Sequence, residues 1–127
     1  LMETIIPKVD RRKIRAELTP ERCLRETNFA GNQIYSFIGH EAPNLLREVG
    51  RLREISFREA GGGTGREMDI DHHDTSDHPY HQLIVWDPKE KEILGGYRYY
   101  LCSELSSDME KVNNLFVPYY PTINIDD

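Results

Sequence analysis

Acidic side chains and histidines are concentrated in one stretch near the middle of the chain, GGGTGREMDIDHHDTSDHPYHQLIVWD, residues 61–87. Clustered carboxylates can bind a cationic amine or a metal ion, and glycine-rich backbone can bind phosphate. Each of these chemistries requires a particular spacing of residues. The spacing therefore indicates whether this stretch favours binding of an amine, a metal ion or a phosphate.

A metal site in this stretch would draw its ligands from His72, His73, His78, His81, Asp69, Asp71, Asp74 and Asp77. All are competent nitrogen or oxygen ligands. Adjacent histidines point apart, however, and the stretch has neither the i,i+4 histidine pair of a helical zinc site nor the glycine position of an EF-hand. We therefore predict a solvated acidic loop with no metal, and keep a His/Asp metal-binding protein as an alternative.

The glycines and the candidate nucleophiles give weaker signals. A phosphate-binding glycine loop follows a strand and precedes a helix, whereas here a predicted helix precedes the glycines and a strand follows them. Cys23 and Cys102 have no neighbouring general base in the sequence, and no serine lies in a G-x-S-x-G elbow. We predict no tightly bound cofactor and no covalent catalysis.

Two arginines are more informative. Arg53 precedes Phe57 by four residues, so both lie on one face of a predicted helix. Arg98 lies in GGYRYY, where strand alternation places it on the same side as Gly96 and Tyr100. A charged residue in an apolar strand needs a partner. Two interpretations stay open: a structural network with Asp71 or Asp74 as the partner, or direct binding of substrate.

The flanking segments predict the elements that position these residues. APNLLREVGRLREISFREA has apolar residues at three- and four-residue spacing and a proline in its first turn, which predicts a helix that the following glycines end. NQIYSFIG, YHQLIVWD and ILGGYRYYLC favour strands, the last two as a hairpin. ELTPERCLRET predicts a short helix start with Thr19 as its N-cap. The order indicates an α+β fold with a helix packed on a mostly antiparallel sheet.

Length and charge narrow the class of protein. The 127 residues suit a single domain, and a net charge of −6 argues against binding nucleic acid. Basic residues are grouped only in RRKIR and among the arginines of residues 47–58. No apolar run here reaches membrane-spanning length, the first residues lack the apolar middle section of a signal peptide, and the two cysteines are in no metal-type spacing. We expect a cytoplasmic protein with reduced thiols.

The segments RLREISFREAGGG, EMDIDHHD, QLIVWD and ILGGYRYYL occur in this order over about residues 30–102. Together they resemble the N-terminal half of the GNAT-type N-acyltransferases that make ornithine and glycine lipids, a family also called hemolysin-like. They are more distantly similar to acyl-homoserine-lactone synthases. The shared pattern is Arg53 four residues before Phe57, the D-x-x-D of Asp71 and Asp74, and Arg98 in a hairpin strand.

This resemblance implies a partial GNAT fold and transfer of a fatty acyl group from acyl carrier protein, or from coenzyme A, to the amine of a small amino acid in membrane-lipid biosynthesis. It implies that Asp71 and Asp74 attract the amine, while Arg53 and Arg98 order the acidic loop or bind the acceptor carboxylate. It assigns substrate binding to Phe57, Glu67 and Asp69. Under it, residues 1–29 form an N-terminal helical extension and residues 30–127 the N-terminal part of the acyltransferase domain.

The resemblance weakens at the end of the chain. The family continues into a T-I-E-L-G-R-S-like strand and a pyrophosphate-binding loop, whereas this chain has PTINIDD, with Asn124 in place of the glutamate. We therefore expect a truncated GNAT-like domain without its acyl-donor site, a homodimer formed through the unpaired sheet edge, and peripheral contact with the inner face of the membrane. The alternative is a GNAT-like binding module without catalysis.

Overall fold

The computed structural model describes residues 2–27, 31–100 and 117–119. Within these ranges the sheet has five strands in the order β1-β2-β3-β4-β5, and every neighbouring pair is antiparallel. The strands are β1 (Cys23–Glu26), β2 (Gln33–Ile38), β3 (His81–Asp87), β4 (Glu92–Tyr99) and β5 (Val117–Pro118). The helices are α1 (Arg11–Glu17), α2 (Pro43–Glu59) and α3 (His72–Thr75), with one 3₁₀ turn at Pro20–Arg22. The predicted α+β fold is confirmed.

Helix α2 begins at Pro43, as predicted, but a residue distant in sequence caps it. Ala42 occupies the N-cap position and has no side chain that can accept a hydrogen bond. The Glu17 carboxylate at the end of α1 takes that role, accepting from the backbone N–H groups of Asn44 at 3.2 Å and Leu45 at 2.8 Å. A carboxylate at this position also stabilises the positive end of the helix dipole. Glu17 thus fixes α1 against the start of α2.

The hydrophobic core lies between α2 and one face of the sheet. Leu45, Val49 and Leu52 of α2 recur at the predicted helical spacing and are buried. They belong to one cluster with strand residues, of which Phe37, Ile84, Trp86 and Ile93 are the most enclosed, and with Ile14 from α1. Burial of each large side chain stabilises the fold by about 1.5–3 kcal/mol. The core therefore holds α2 in a fixed position over β2, β3 and β4.

The predicted hairpin is formed by β3 and β4, which pair from His81 with Tyr99 to Asp87 with Glu92. The register shifts between Val85 and Trp86, so β4 contains one irregular position near Leu94. Gly96 pairs with Ile84, and a Cβ there would collide with the carbonyl oxygen of Leu83. Glycine at this position lets the two strands approach closely.

The segment after α2 is held by one buried carboxylate. Glu54 accepts hydrogen bonds from the Thr64 backbone N–H at 3.0 Å and hydroxyl at 2.6 Å, from the Gly65 N–H at 3.0 Å, and from Arg58 Nε at 2.6 Å. Glu54 and Arg58 are an i,i+4 pair on α2, and the helix ends before the glycines as predicted. Gly61 and Gly63 have φ values of 90° and 97°, which glycine adopts without strain.

The short helix start predicted after Thr19 is present as a 3₁₀ turn, with Thr19 at its N-cap position. The turn ends at Arg22, and Cys23–Glu26 forms strand β1, which was not predicted. Pro20 does occupy the first helical position, but pairing of Cys23 with Tyr35 and of Glu26 with Gln33 determines the conformation of the following residues. The division of the chain at residues 29 and 30 stays a prediction, although β1 belongs to the same sheet as β2.

Among the helices of the described ranges, none combines the length and the apolar character that a membrane crossing requires.

Candidate functional site

The D-x-x-D pair forms a reciprocal helix cap. Asp71 is the N-cap of α3 and its Oδ1 accepts from the His73 backbone N–H at 2.9 Å, while Asp74 Oδ2 accepts from the Asp71 backbone N–H at 3.1 Å. This capping box satisfies donors that a helix of only four residues would otherwise leave unpaired. The motif therefore has a structural role before any substrate is considered: it gives the acidic loop a defined conformation.

Asp74 lies at the centre of a buried polar cluster. Its Oδ1 accepts from Gln82 Nε2 at 2.6 Å and its Oδ2 forms an ion pair with Arg53 Nη1 at 3.3 Å. Arg53 Nη2 donates to Gln82 Oε1 at 2.6 Å, which closes a triangle of α2, α3 and β3. The side chains of Asp74 and Arg53 are 0% and 8% exposed. Both oxygens of Asp74 are enclosed and hydrogen-bonded, so this carboxylate links α2, α3 and β3, and its predicted contact with the acceptor amine stays a prediction.

Asp71 and Arg98 lie on the more open side of this cluster. Arg98 Nη1 is 2.8 Å from Asp71 Oδ1 and 3.6 Å from Asp74 Oδ2, and the Arg98 and Asp71 side chains are 28% and 35% exposed. Burial by itself would raise the pKa of Asp71, but the hydrogen bond and charge of Arg98 outweigh it and hold that pKa below its ordinary value. Asp71 is therefore a stable carboxylate, and Arg98 is a cation that solvent and ligands can reach.

An aromatic platform orients Arg98. Its guanidinium carbon lies 5.3 Å from the centroid of the buried Tyr80 ring. Tyr80 is stacked against His73 at 4.6 Å and is met edge-on by Tyr100 at 4.1 Å. A guanidinium over a tyrosine face gains a cation–π attraction of about 0.5–2 kcal/mol. The predicted placement of Tyr100 on the same side of the sheet as Arg98 agrees with this contact.

Two residues of this cluster were not predicted from the sequence. Gln82 lies inside an apolar run, where it pairs across the hairpin with Arg98, and the residue is 1% exposed. Tyr119 is buried after β5, interacts with Arg53, and has a pKa raised above its ordinary value chiefly by burial. A polar residue in the middle of a predicted core strand was the available signal for Gln82. Nothing local distinguishes Tyr119.

Asp69 differs from the other carboxylates of the loop. Its backbone is fixed, since its N–H donates to the Gly50 carbonyl at 2.9 Å and Arg53 Nη1 reaches its carbonyl oxygen at 3.5 Å. Its side chain is half-buried, and no hydrogen bond to either carboxylate oxygen occurs within residues 2–27, 31–100 and 117–119. Burial, more than any other influence, raises the pKa of Asp69 above its ordinary value.

The remaining two predicted site residues lie apart from the network. Phe57 is on α2, one turn beyond Arg53, and is half-buried. Glu67 is exposed, and its backbone carbonyl accepts from the Ile6 N–H at 3.0 Å. In the described part of the chain, the Glu67 side chain has no hydrogen bond or ion pair with Arg53, Asp71, Asp74 or Arg98. Their predicted roles in substrate binding stay predictions.

The histidines of the loop serve other contacts. His72 and His73 have ring centroids 3.9 Å apart, and His81 is stacked on Tyr99 at 5.2 Å. No group of three or more histidine, cysteine or carboxylate side chains is arranged to hold a metal ion in the portion of the chain that the structure describes. The Arg–Asp network predicted as one of the two interpretations for the arginines is present, and it links α2, α3, β3 and β4.

The antiparallel sheet and the long helix over it agree with what sequence comparison finds. The profile of the GNAT acetyltransferase domain matches residues 52–116, more than half of the chain. The chain belongs to this family.

Two curated relatives are each named glycine N(alpha)-acyltransferase. The protein from Bacteroides thetaiotaomicron is 58% identical over 107 residues, and the protein from Phocaeicola vulgatus is 50% identical over 107 residues. The alignments cover 84% of this chain but 32% and 33% of the relatives, so the chain spans about a third of their length. No solved structure matches the chain.

Several sequence predictions fall outside the described residues. They are the acyl-donor site inferred to be missing from PTINIDD, the position of Asn124, and the state of Cys102. Cys23 is a free thiol.

Proposed function

We propose that this chain forms the amine-acceptor part of an N-acyltransferase that moves a fatty acyl group from a thioester to the amine of a small amino acid, with glycine as the first candidate. Membership of the GNAT family supports the reaction class. The observation that carries the proposal is the 58% identity to a protein named glycine N(alpha)-acyltransferase, over 84% of this chain.

Arg98 is suited to bind the carboxylate of the acceptor. Only its Nη1 is engaged by side chains of the described residues, so Nε and Nη2 are left to donate to a ligand. A guanidinium binds a carboxylate with two parallel hydrogen bonds, which fixes orientation as well as affinity. Asp71, bonded to Nη1, holds the guanidinium plane and adds negative charge next to an incoming ammonium group.

Arg53 and Asp74 do not contact the substrate in this proposal and act through the residues that do. Both are buried and satisfied by each other and by Gln82, so they hold the loop that carries Asp69 and Asp71. In this proposal the D-x-x-D motif therefore has divided roles: Asp71 faces the acceptor, and Asp74 is a positioning residue. Phe57 contributes apolar surface one turn along α2, and Glu67 adds charge at the rim of the loop.

In the reaction, the neutral amine attacks the thioester carbonyl carbon, so a C–N bond forms and the C–S bond breaks. Backbone N–H groups aimed at the carbonyl oxygen would stabilise the developing negative charge. Acyl carrier protein is proposed as the donor, with coenzyme A as the variant to compare. The product, an N-acyl amino acid, would enter membrane-lipid synthesis at the inner membrane face, with ornithine as the second acceptor to test.

The proposal is tested on the full polypeptide encoded by the reading frame that contains this chain. The protein is incubated with long-chain acyl carrier protein or acyl-coenzyme A and one amino acid at a time, and the N-acyl product is measured by mass spectrometry. We expect product with glycine. Absence of acyl transfer to any common amino acid from either donor would overturn the proposal.

A substitution at Arg98 tests the acceptor site. Arg98→Met should raise KM for glycine at least tenfold, because a bidentate charge-assisted contact is lost. Arg12→Met is the matched control, since the Arg12 side chain is 91% exposed and forms an ion pair only with Asp10, the N-cap residue of α1, among the described residues. If Asp71→Asn and Arg98→Ala both leave cellular N-acyl lipids unchanged, the chain is a binding module without catalysis.

A further inference from the structure

We propose that Asp69 is the residue that binds the ammonium group of the acceptor and removes its proton. This inference rests on the proposed function and adds a specific acid–base role to it. Among the carboxylates of the acidic loop, Asp74 is hydrogen-bonded to Gln82 and ion-paired with Arg53, and Asp71 is ion-paired with Arg98. Asp69 alone combines partial burial with a carboxylate that no described side chain hydrogen-bonds.

The backbone around Asp69 is built to hold it still. The Asp69 N–H is bonded to the carbonyl of Gly50 in the middle of α2. Gly50 permits this approach, because a Cβ there would lie 2.6 Å from Ile70 Cγ1. Arg53 reaches the carbonyl of Asp69 from the same helix. A fixed main chain, together with a carboxylate that no described residue hydrogen-bonds, is the arrangement expected of a ligand-binding group.

Opposing influences act on the pKa of the Asp69 carboxyl group, and they favour its accepting a proton from the acceptor. The charged and titratable groups that act on it from α2, the loop, β4 and the segment after β5 are Arg53, Glu54, Asp71, Arg98 and Tyr119. The two arginines favour its charged form, while burial and the two carboxylates oppose it, and the pKa of Asp69 is raised on balance. A base of raised pKa accepts a proton more readily at neutral pH than an ordinary aspartate does.

The proposed steps conserve atoms and charge. The acceptor enters as an ammonium ion and gives one proton to an Asp69 oxygen, which frees the nitrogen lone pair. The nitrogen then forms the C–N bond at the thioester carbon as the C–S bond breaks. A second nitrogen proton goes to the departing thiolate, and Asp69 returns the first proton to solvent. The products are an amide, a free thiol and one released proton.

The test compares Asp69→Asn with wild type on the full polypeptide, using glycine and aminooxyacetate as acceptors. Glycine must lose a proton before attack, whereas the aminooxy group is already neutral at pH 7. With glycine at pH 7 we expect kcat/KM to fall by about 10²–10⁴-fold, the usual contribution of a general base. The fall should shrink as pH rises and should be at least tenfold smaller with aminooxyacetate. Asp69→Glu should restore part of the activity with glycine.

Asp77→Asn is the matched control, because Asp77 is an exposed aspartate eight residues further along the same loop. The inference is overturned if Asp69→Asn behaves like Asp77→Asn with glycine. It is also overturned if Asp69→Asn loses both acceptors equally at every pH, because that outcome identifies a positioning residue. Wild-type activity with glycine is measured first, so failure of the proposed function is seen separately. Circular dichroism verifies that the variant is folded.

Discussion

Arg53 and Asp74 form an ion pair of 3.3 Å between helix α2 and the acidic loop, and both side chains are at least nine-tenths buried. The pair is completed by Gln82, which bonds to each partner at 2.6 Å. A buried ion pair adds little to stability when compared with apolar residues of the same shape, because desolvation offsets the attraction. Removing one partner is different, since it leaves a charge buried without compensation.

Arg53→Met should therefore lower the free energy of unfolding by about 3–5 kcal/mol, because Asp74 stays buried and loses its cation. Urea denaturation followed by circular dichroism measures the change. Arg53→Met combined with Asp74→Asn should be less destabilised than the sum of the two single variants, since the uncompensated charge is gone. A loss below about 1 kcal/mol for Arg53→Met, as for an exposed pair, would contradict the buried network.

Glu54 makes stability depend on pH. Burial by itself would raise the pKa of Glu54, but hydrogen bonds from Thr64 and Arg58 outweigh it and lower that pKa to about 2. The carboxylate therefore stabilises the fold above its unfolded pKa near 4.5, and that contribution disappears as pH falls towards 2. Glu54→Gln should be less stable than wild type at pH 7, and the difference should shrink steadily between about pH 4.5 and 2.

Thermal unfolding across that pH range measures the effect. The control is Glu59→Gln, because Glu59 is an exposed glutamate near the end of the same helix and should change stability by less than about 0.5 kcal/mol at any pH. A constant difference between Glu54→Gln and wild type from pH 7 to pH 2 would falsify the assignment, since it would mean that the ionised carboxylate is not what the loop requires.

Much of the fold could be predicted because its signals are local. The apolar spacing of Leu45, Val49 and Leu52 indicated α2, and the strand-like run ending at Asp87 indicated β3. A charged residue in an apolar strand indicated that Arg98 needs a partner, and the structure provides Asp71. The sequence within one element was thus enough to locate α2 and β3 and to indicate that Arg98 has a partner, although it left open whether that partner is Asp71 or Asp74.

The missed features depend on residues distant in sequence. Strand β1 has four residues and forms because β2 is available to pair with it, so the helical turn that begins at Pro20 ends at Arg22. Glu17 caps α2 from 27 and 28 residues away. Gln82 gains its role only once the hairpin register places it opposite Arg98. Propensity and spacing cannot supply such partners, because each depends on tertiary contacts.

A substitution at Gly96 tests how closely β3 and β4 approach each other in the hairpin. Gly96→Ala should destabilise the protein by about 1–3 kcal/mol, because the new methyl group collides with the Leu83 carbonyl oxygen, which belongs to rigid strand backbone. Gly62→Ala is the control, since a Cβ there would meet only the Phe57 carbonyl at 3.6 Å, an ordinary contact. Equal unfolding midpoints for the two variants in urea would show that β3 and β4 are further apart than the structure has them.

Gly50 tests whether the position of the acidic loop controls acceptor binding. In Gly50→Ala, the new methyl group would lie 2.6 Å from Ile70 Cγ1 and 3.4 Å from the Asp69 carbonyl oxygen, so the loop must move away from α2. Stability should change by less than about 1.5 kcal/mol, because the higher helix propensity of alanine offsets part of the crowding. KM for glycine should nevertheless rise at least fivefold, with a smaller change in kcat.

A second substitution separates displacement of the loop from other effects of the methyl group. Ile70→Ala removes the atoms that crowd position 50, so the Gly50→Ala, Ile70→Ala double variant should recover part of the affinity for glycine that Gly50→Ala loses. Gly62→Ala again provides the unaffected comparison. If Gly50→Ala binds glycine as wild type does, the contact between α2 and the loop does not set the acceptor site, and the roles proposed for Asp69 and Asp71 would need a different support.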